Sequence, residues 1–218
     1  MNLKSKAFNG WNLFWWITLP ICIVVGTATT RIDTSSAEDV SSLIQLSVRC
    51  SVPWLYLAFA ASSLHLLFPS AFSRWLLRNR RILGLCFAGG MAWQLVFILW
   101  MVTRFWGYYV DEVYLLTDIV VQIPGYLFLI AMTLTSFIPL RRKMDPRQWR
   151  VLHKAGIFFL WGTVWSTYWY ELYYYGDIQL IDYFYYWTGF IAWGLRVCAW
   201  IGPPAKHPGR SGEWAGRG

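Results

Sequence analysis

Apolar stretches separated by connections of alternating charge constrain this chain more than any other feature. Six of them, at about 8–28, 50–69, 82–106, 113–138, 151–170 and 183–201, approach or exceed the roughly 18–20 residues that a helix needs to cross a bilayer. The connections are too short to hold a separate soluble domain. Composition agrees: 57% of the 218 residues are hydrophobic and 14% are charged, against about 25% charged in an average soluble domain. The expected fold is an all-α integral membrane protein, a six-transmembrane-helix bundle occupying residues 1–201.

Charge placement predicts the orientation. Lys4 and Lys6 precede the first stretch. Arg74, Arg78, Arg80 and Arg81 fill the second connection, and Arg141, Arg142, Lys143, Arg147 and Arg150 the fourth. Lys206, Arg210 and Arg217 lie in the tail. Asp33, Glu38, Asp39, Asp111, Glu112, Glu171, Asp177 and Asp182 fall in or beside the other connections. Lys and Arg gather on the cytoplasmic side of membrane proteins, so the alternation predicts both termini inside. The net charge of +8 is then a topology signal and a means of attracting anionic headgroups. It excludes nucleic acid as the expected partner; the bilayer takes that place.

Lys4-Ser5-Lys6 ahead of an apolar run resembles a secretory signal. The run is long for one, however, and no clear Ala-x-Ala site follows, so the expectation is a retained helix. Residues 202–218, with His207 among them, form a Gly- and Pro-containing tail expected to be disordered and cytoplasmic. Cys22, Cys50, Cys86 and Cys198 show no Cys-x-x-Cys or zinc spacing, and no metal site is expected. Hydrolase, metalloprotease and phosphate-loop motifs are absent.

Polar residues inside apolar stretches are expensive and are therefore candidates for function. Asp118 stands about one and a half turns into the fourth stretch, and Gln122 is one turn further along the same face. Pro124-Gly125 then predicts a kink. Asp118 either relays a proton to a quinone or pairs structurally with Arg104 or a tyrosine. Arg196 is expected to snorkel toward the interface. The dense aromatics at 165–175 and 183–187 read first as an interfacial girdle, with a docking face or quinone pocket as the functional alternative.

Two segments carry a family resemblance. Arg80-Arg81-Ile82-Leu83-Gly84-Leu85 opens the third stretch. Thr135-Ser136, Arg141-Arg142 and Trp149-x-x-Leu152-His153-Lys154 lead from the fourth into the fifth. In order and spacing they resemble the ferric reductase-like transmembrane family, most nearly the haem-binding membrane subunits of bacterial methionine-sulfoxide reductase systems. The resemblance spans roughly residues 48–170 and implies a helical bundle holding haem b between histidines of the third and fifth spans. It also implies a bacterial inner (cytoplasmic) membrane location. The third-span histidine position of that family falls at Gln94 here. The first fifth-span histidine is His153, and the second falls at Ser166.

A low-spin b haem needs two axial ligands, usually imidazoles, so those replacements remove the usual clamp. His65, near the inner end of the second stretch, shares a leaflet depth with His153 and makes a different haem or metal site geometrically conceivable. Three functions follow as expectations. The first is a divergent family member without the usual haem, acting as partner or assembly subunit of a membrane complex. The second is a haem- or quinone-linked electron-transfer subunit using His153 and His65, feeding a periplasmic acceptor. The third is an unrelated transporter or lipid-handling protein centred on Asp118.

Overall fold

The computed structural model describes residue 5 and residues 8–113, 116–175 and 178–202, with no strand among them. Six long helices dominate: α1 (Gly10–Arg31), α2 (Ala37–Leu67), α3 (Ala71–Arg104), α4 (Leu116–Ser136), α5 (Pro146–Tyr170) and α6 (Leu180–Ile201). Short helical turns at Trp106–Tyr108, Tyr109–Val113, Ile138–Arg141 and Glu171–Tyr175 join or extend them. The tail from 203 onward, including His207, lies outside the described residues.

Three helices, α1, α2 and α3, are long and apolar enough to cross a membrane. Within α4, the stretch Val120–Ser136 is apolar but shorter. Helices α5 and α6 have 25 and 22 residues, about 37 and 33 Å at 1.5 Å per residue. Their tyrosines, tryptophans and arginines lower their hydropathy. Much of the bundle's outside is carbon: Trp15, Trp16, Leu19 and Ile23 of α1, and Ile123, Leu127 and Ile130 of α4, are exposed. Helices apolar on inner and outer faces alike suit a lipid surround.

The helices outrun the apolar stretches that announce them. Helix α2 begins at Ala37, where the acids Glu38 and Asp39 favour the positive end of the helix dipole. Ser70 starts α3 through a reciprocal capping box with Ser73. Asp145 accepts from the Arg147 amide, and Pro146 occupies the first turn of α5. The start of α1 is capped from another helix: the Gly10 amide donates to Asn79 Oδ1 of α3 at 3.1 Å. Gly10 adopts φ +61 there, a conformation that side chains disfavour. The kink expected at Pro124-Gly125 does not end the helix; α4 runs unbroken through Pro124.

Helix α2 is the most surrounded, touching α1, α3, α5 and α6; α4 completes the bundle against α3 and α5. Val52, Leu55 and Phe59 of α2, Leu83 and Phe87 of α3, and Leu160 of α5 fill the interior. In lipid, helices associate by close packing rather than by hydrophobic exclusion, so small residues mark the seams. Gly90 of α3 lies against Ser51 of α2, Gly156 of α5 against Met132 of α4, and Gly189 of α6 against Tyr56 of α2. A Cβ at any of the three would overlap its neighbour.

Candidate functional site

The basic connections converge. The start of α3, the α4–α5 connection, the start of α5 and the end of α6 together bound a cavity of about 860 Å³. Its rim carries Arg80, Arg81, Arg141, Arg150, Lys154 and Arg196, and Leu55, Ala58, Leu129 and Leu160 are among its apolar walls. Among the described residues no carboxylate lines it. Among the described residues the one ion pair is elsewhere, between Arg49 and Asp182. Cations from the second and fourth connections and from α6 thus meet around one concave site.

Arg196 departs from expectation. Instead of snorkelling outward it is half-buried, with Nε donating to the Phe59 carbonyl at 3.1 Å. Its guanidinium lies 4.3 Å from the Phe59 ring centroid and 4.6 Å from that of Phe158, within cation–π range. The aromatic faces and the carbonyl compensate for the water it gives up. Arg141 is likewise seated over Trp149, at 4.7 Å.

His153 stands on the cavity wall. Its Nε2 lies 3.1 Å from Thr135 Oγ1, and its ring packs on Trp149 at 4.3 Å. Trp149 Nε1 donates to the Thr135 carbonyl at 3.2 Å. The Thr135, Trp149 and His153 of the sequence motifs therefore form one knot between α4 and α5. His65 belongs to a different junction: its Nδ1 is 3.4 Å from Ser73 Oγ, at the α2–α3 turn. Among the described residues, His153 lines the cavity and His65 does not.

Gln94 accepts a 2.8 Å hydrogen bond from the Tyr126 hydroxyl, linking α3 to α4. Ser166 donates to the Thr163 carbonyl of its own helix at 2.8 Å. A b haem needs two axial ligands. Among the described residues the cavity offers a single imidazole, already engaged by Thr135, and the two replaced positions are engaged as well. These residues do not fit a bis-imidazole haem. Nor do any three His, Cys, Asp or Glu side chains cluster as a metal site among the described residues.

Asp118 lies in α4, but its side chain, and with it the expected pairing with Arg104, falls outside the described residues. Gln122 and Arg104 are exposed. The aromatic segments divide into two populations. Trp169, Tyr173, Tyr174, Tyr183 and Trp187 are exposed, as a girdle would be, whereas Tyr168 and Tyr185 are buried. Phe59, Trp161 and Trp165 form a near-parallel stack inside, continued by Tyr186.

One site escaped the sequence reading altogether. Asp182, 1% exposed, receives Arg49 at 3.0 Å and the Gln179 amide at 3.1 Å. Arg49 also donates to Gln179 Oε1 at 2.7 Å, and the Tyr185 hydroxyl donates to the Arg49 carbonyl at 2.8 Å. This network ties α2 to the start of α6. The acidic helix start at Asp182 was a visible signal; its partner Arg49, 133 positions away, was not.

No protein-family model matches this chain, and neither a curated protein nor a solved structure matches it.

Proposed function

We propose that this chain is a divergent ferric reductase-like membrane protein without the family's usual haem, acting as a partner or assembly subunit of a membrane complex. Six helices cross a bacterial inner membrane in this reading, with both termini cytoplasmic and the cation-rimmed cavity facing the cytoplasm. The observation that carries it is the hydrogen bond from Tyr126 to Gln94. It makes the third-span ligand position a structural crossbridge between helices. The motif residues Thr135, Trp149 and His153, held in one knot, support retention of the family scaffold without its ligand set.

The partner role draws on the exposed tyrosines and tryptophans at the opposite end, Trp169, Tyr173, Tyr174, Tyr183 and Trp187. Aromatic side chains are enriched where proteins meet other proteins. A second reading, haem- or quinone-linked electron transfer, is favoured by His153 standing on the wall of a large cavity.

Two experiments test the proposal. In a cysteine-free background, Ser35→Cys should label with an impermeant maleimide from the periplasmic side. Arg142→Cys should label only after the membrane is opened. The reverse pattern overturns the topology. The tagged chain, extracted gently from its native membrane, should bring down a stoichiometric membrane or periplasmic protein, and Tyr173→Ala/Tyr174→Ala should release it. A chain that purifies alone and active in electron transfer overturns the subunit role.

A further inference from the structure

A second cavity adjoins the first. About 360 Å³ in volume, it lies among α1, α3 and α4, where Phe14, Ala88, Ala92 and Leu95 are among its lining. Trp11, Ile130, Leu134 and Phe137, which also line it, are exposed on the outside of the bundle, so this groove opens toward lipid. Leu85, Leu129 and Thr133 line both cavities. A cation-rimmed chamber and an apolar groove therefore share a wall.

We propose that the pair forms a binding site for one anionic phospholipid, its phosphate headgroup among the arginines and an acyl chain along the apolar groove. Charge complementarity selects the occupant. Seven cations, Arg78 among them, line a chamber that among the described residues has no lining carboxylate, and Arg presents the planar donor fork that binds phosphate oxygens in pairs. Arg196 is pre-positioned: its Nε and its ring contacts fix the guanidinium, so little side-chain freedom is lost when an anion arrives. A soluble phosphate compound would use the rim but leave the groove without purpose. A zwitterionic lipid would fill the groove but bring a cation to a cationic rim. The site depends on the two cavities alone and is independent of whether the chain carries haem.

The test uses the full-length chain in detergent, stripped of lipid, with binding followed by native mass spectrometry. The probes are dioleoyl phosphatidic acid, dioleoyl phosphatidylcholine and inorganic phosphate. Phosphatidic acid should bind at least about tenfold more tightly than phosphatidylcholine, and inorganic phosphate at large excess should not displace it. The double variant Arg80→Gln/Arg81→Gln should weaken phosphatidic acid by about thirtyfold. Leu129→Trp, which fills the shared wall, should weaken the lipid without involving the charges. Equal binding of the two lipids overturns the proposal, as does displacement by equimolar phosphate, which would make it a free-anion site. So does unchanged affinity in variants shown to be folded by circular dichroism. If a variant fails to fold, the wild-type lipid comparison and the phosphate competition still decide.

Discussion

The Tyr126 hydroxyl reaches Gln94 Oε1 at 2.8 Å across the seam between α3 and α4. These two residues give the bundle a polar tie at the level where the resemblance puts a haem ligand. Inside lipid, a freed amide or hydroxyl has few alternative partners, although the measured net worth of such bonds is modest.

A double-mutant cycle measures the tie. Tyr126→Phe and Gln94→Leu should each lower thermal stability in detergent, and their effects should be less than additive by about 0.6–1.7 kcal/mol. Strict additivity would mean that the hydrogen bond contributes nothing.

The Arg49–Asp182 pair predicts an asymmetry. Asp182 is 1% exposed and Arg49 is 23% exposed. Arg49→Met strands a carboxylate that keeps the Gln179 amide but little else, whereas Asp182→Asn leaves a cation with some access to solvent. Losing one partner of a fully buried pair costs about 3–5 kcal/mol; solvent screening at Arg49 brings the expectation down to about 2–3 kcal/mol. Thermal unfolding should rank Arg49→Met as the more damaging change, and the opposite rank would contradict the assigned burial.

Much of the architecture was legible because its signals are local. Apolar runs mark α1 to α6, and arginines of the basic connections meet at one cation-rimmed cavity. The motif residues Thr135, Trp149 and His153 are close in sequence, and they meet. What was not legible depends on distant partners. The inward turn of Arg196 needs Phe59, 137 positions earlier. The cap on α1 comes from Asn79, 69 positions later. Nothing periodic records such pairs. The early start of α2 was missed because its first turns are polar, which hides a helix from a search for apolar length.

Glycine replacements separate packing from propensity. Gly189→Ala places a methyl 2.6 Å from the Tyr56 hydroxyl and 2.9 Å from Trp165 Cδ1, and overpacking of this kind costs about 1–3 kcal/mol. Gly162, on α5, has open space around it, and Ala there should stabilise by up to about 1 kcal/mol through helix propensity. Melting temperatures should move in opposite directions. A shift in the same direction for the two variants would refute the α2–α6 seam as described.

His153→Ala removes the Thr135 contact and the stack on Trp149. The expected outcome is a loss of about 1 kcal/mol in stability, read from thermal unfolding, with the visible absorption spectrum unchanged from wild type. A visible band present in the wild type and abolished by this variant would assign His153 a ligand role instead.

The decisive measurement is a reduced-minus-oxidised absorption spectrum of the purified chain from haem-replete cells, with haem quantified as the pyridine haemochrome. With Gln94 bonded to Tyr126 and Ser166 to Thr163, the predicted result is no b-type signal and far less than about one haem per chain. A b-type spectrum near one haem per chain would contradict the account and restore electron transfer as the function.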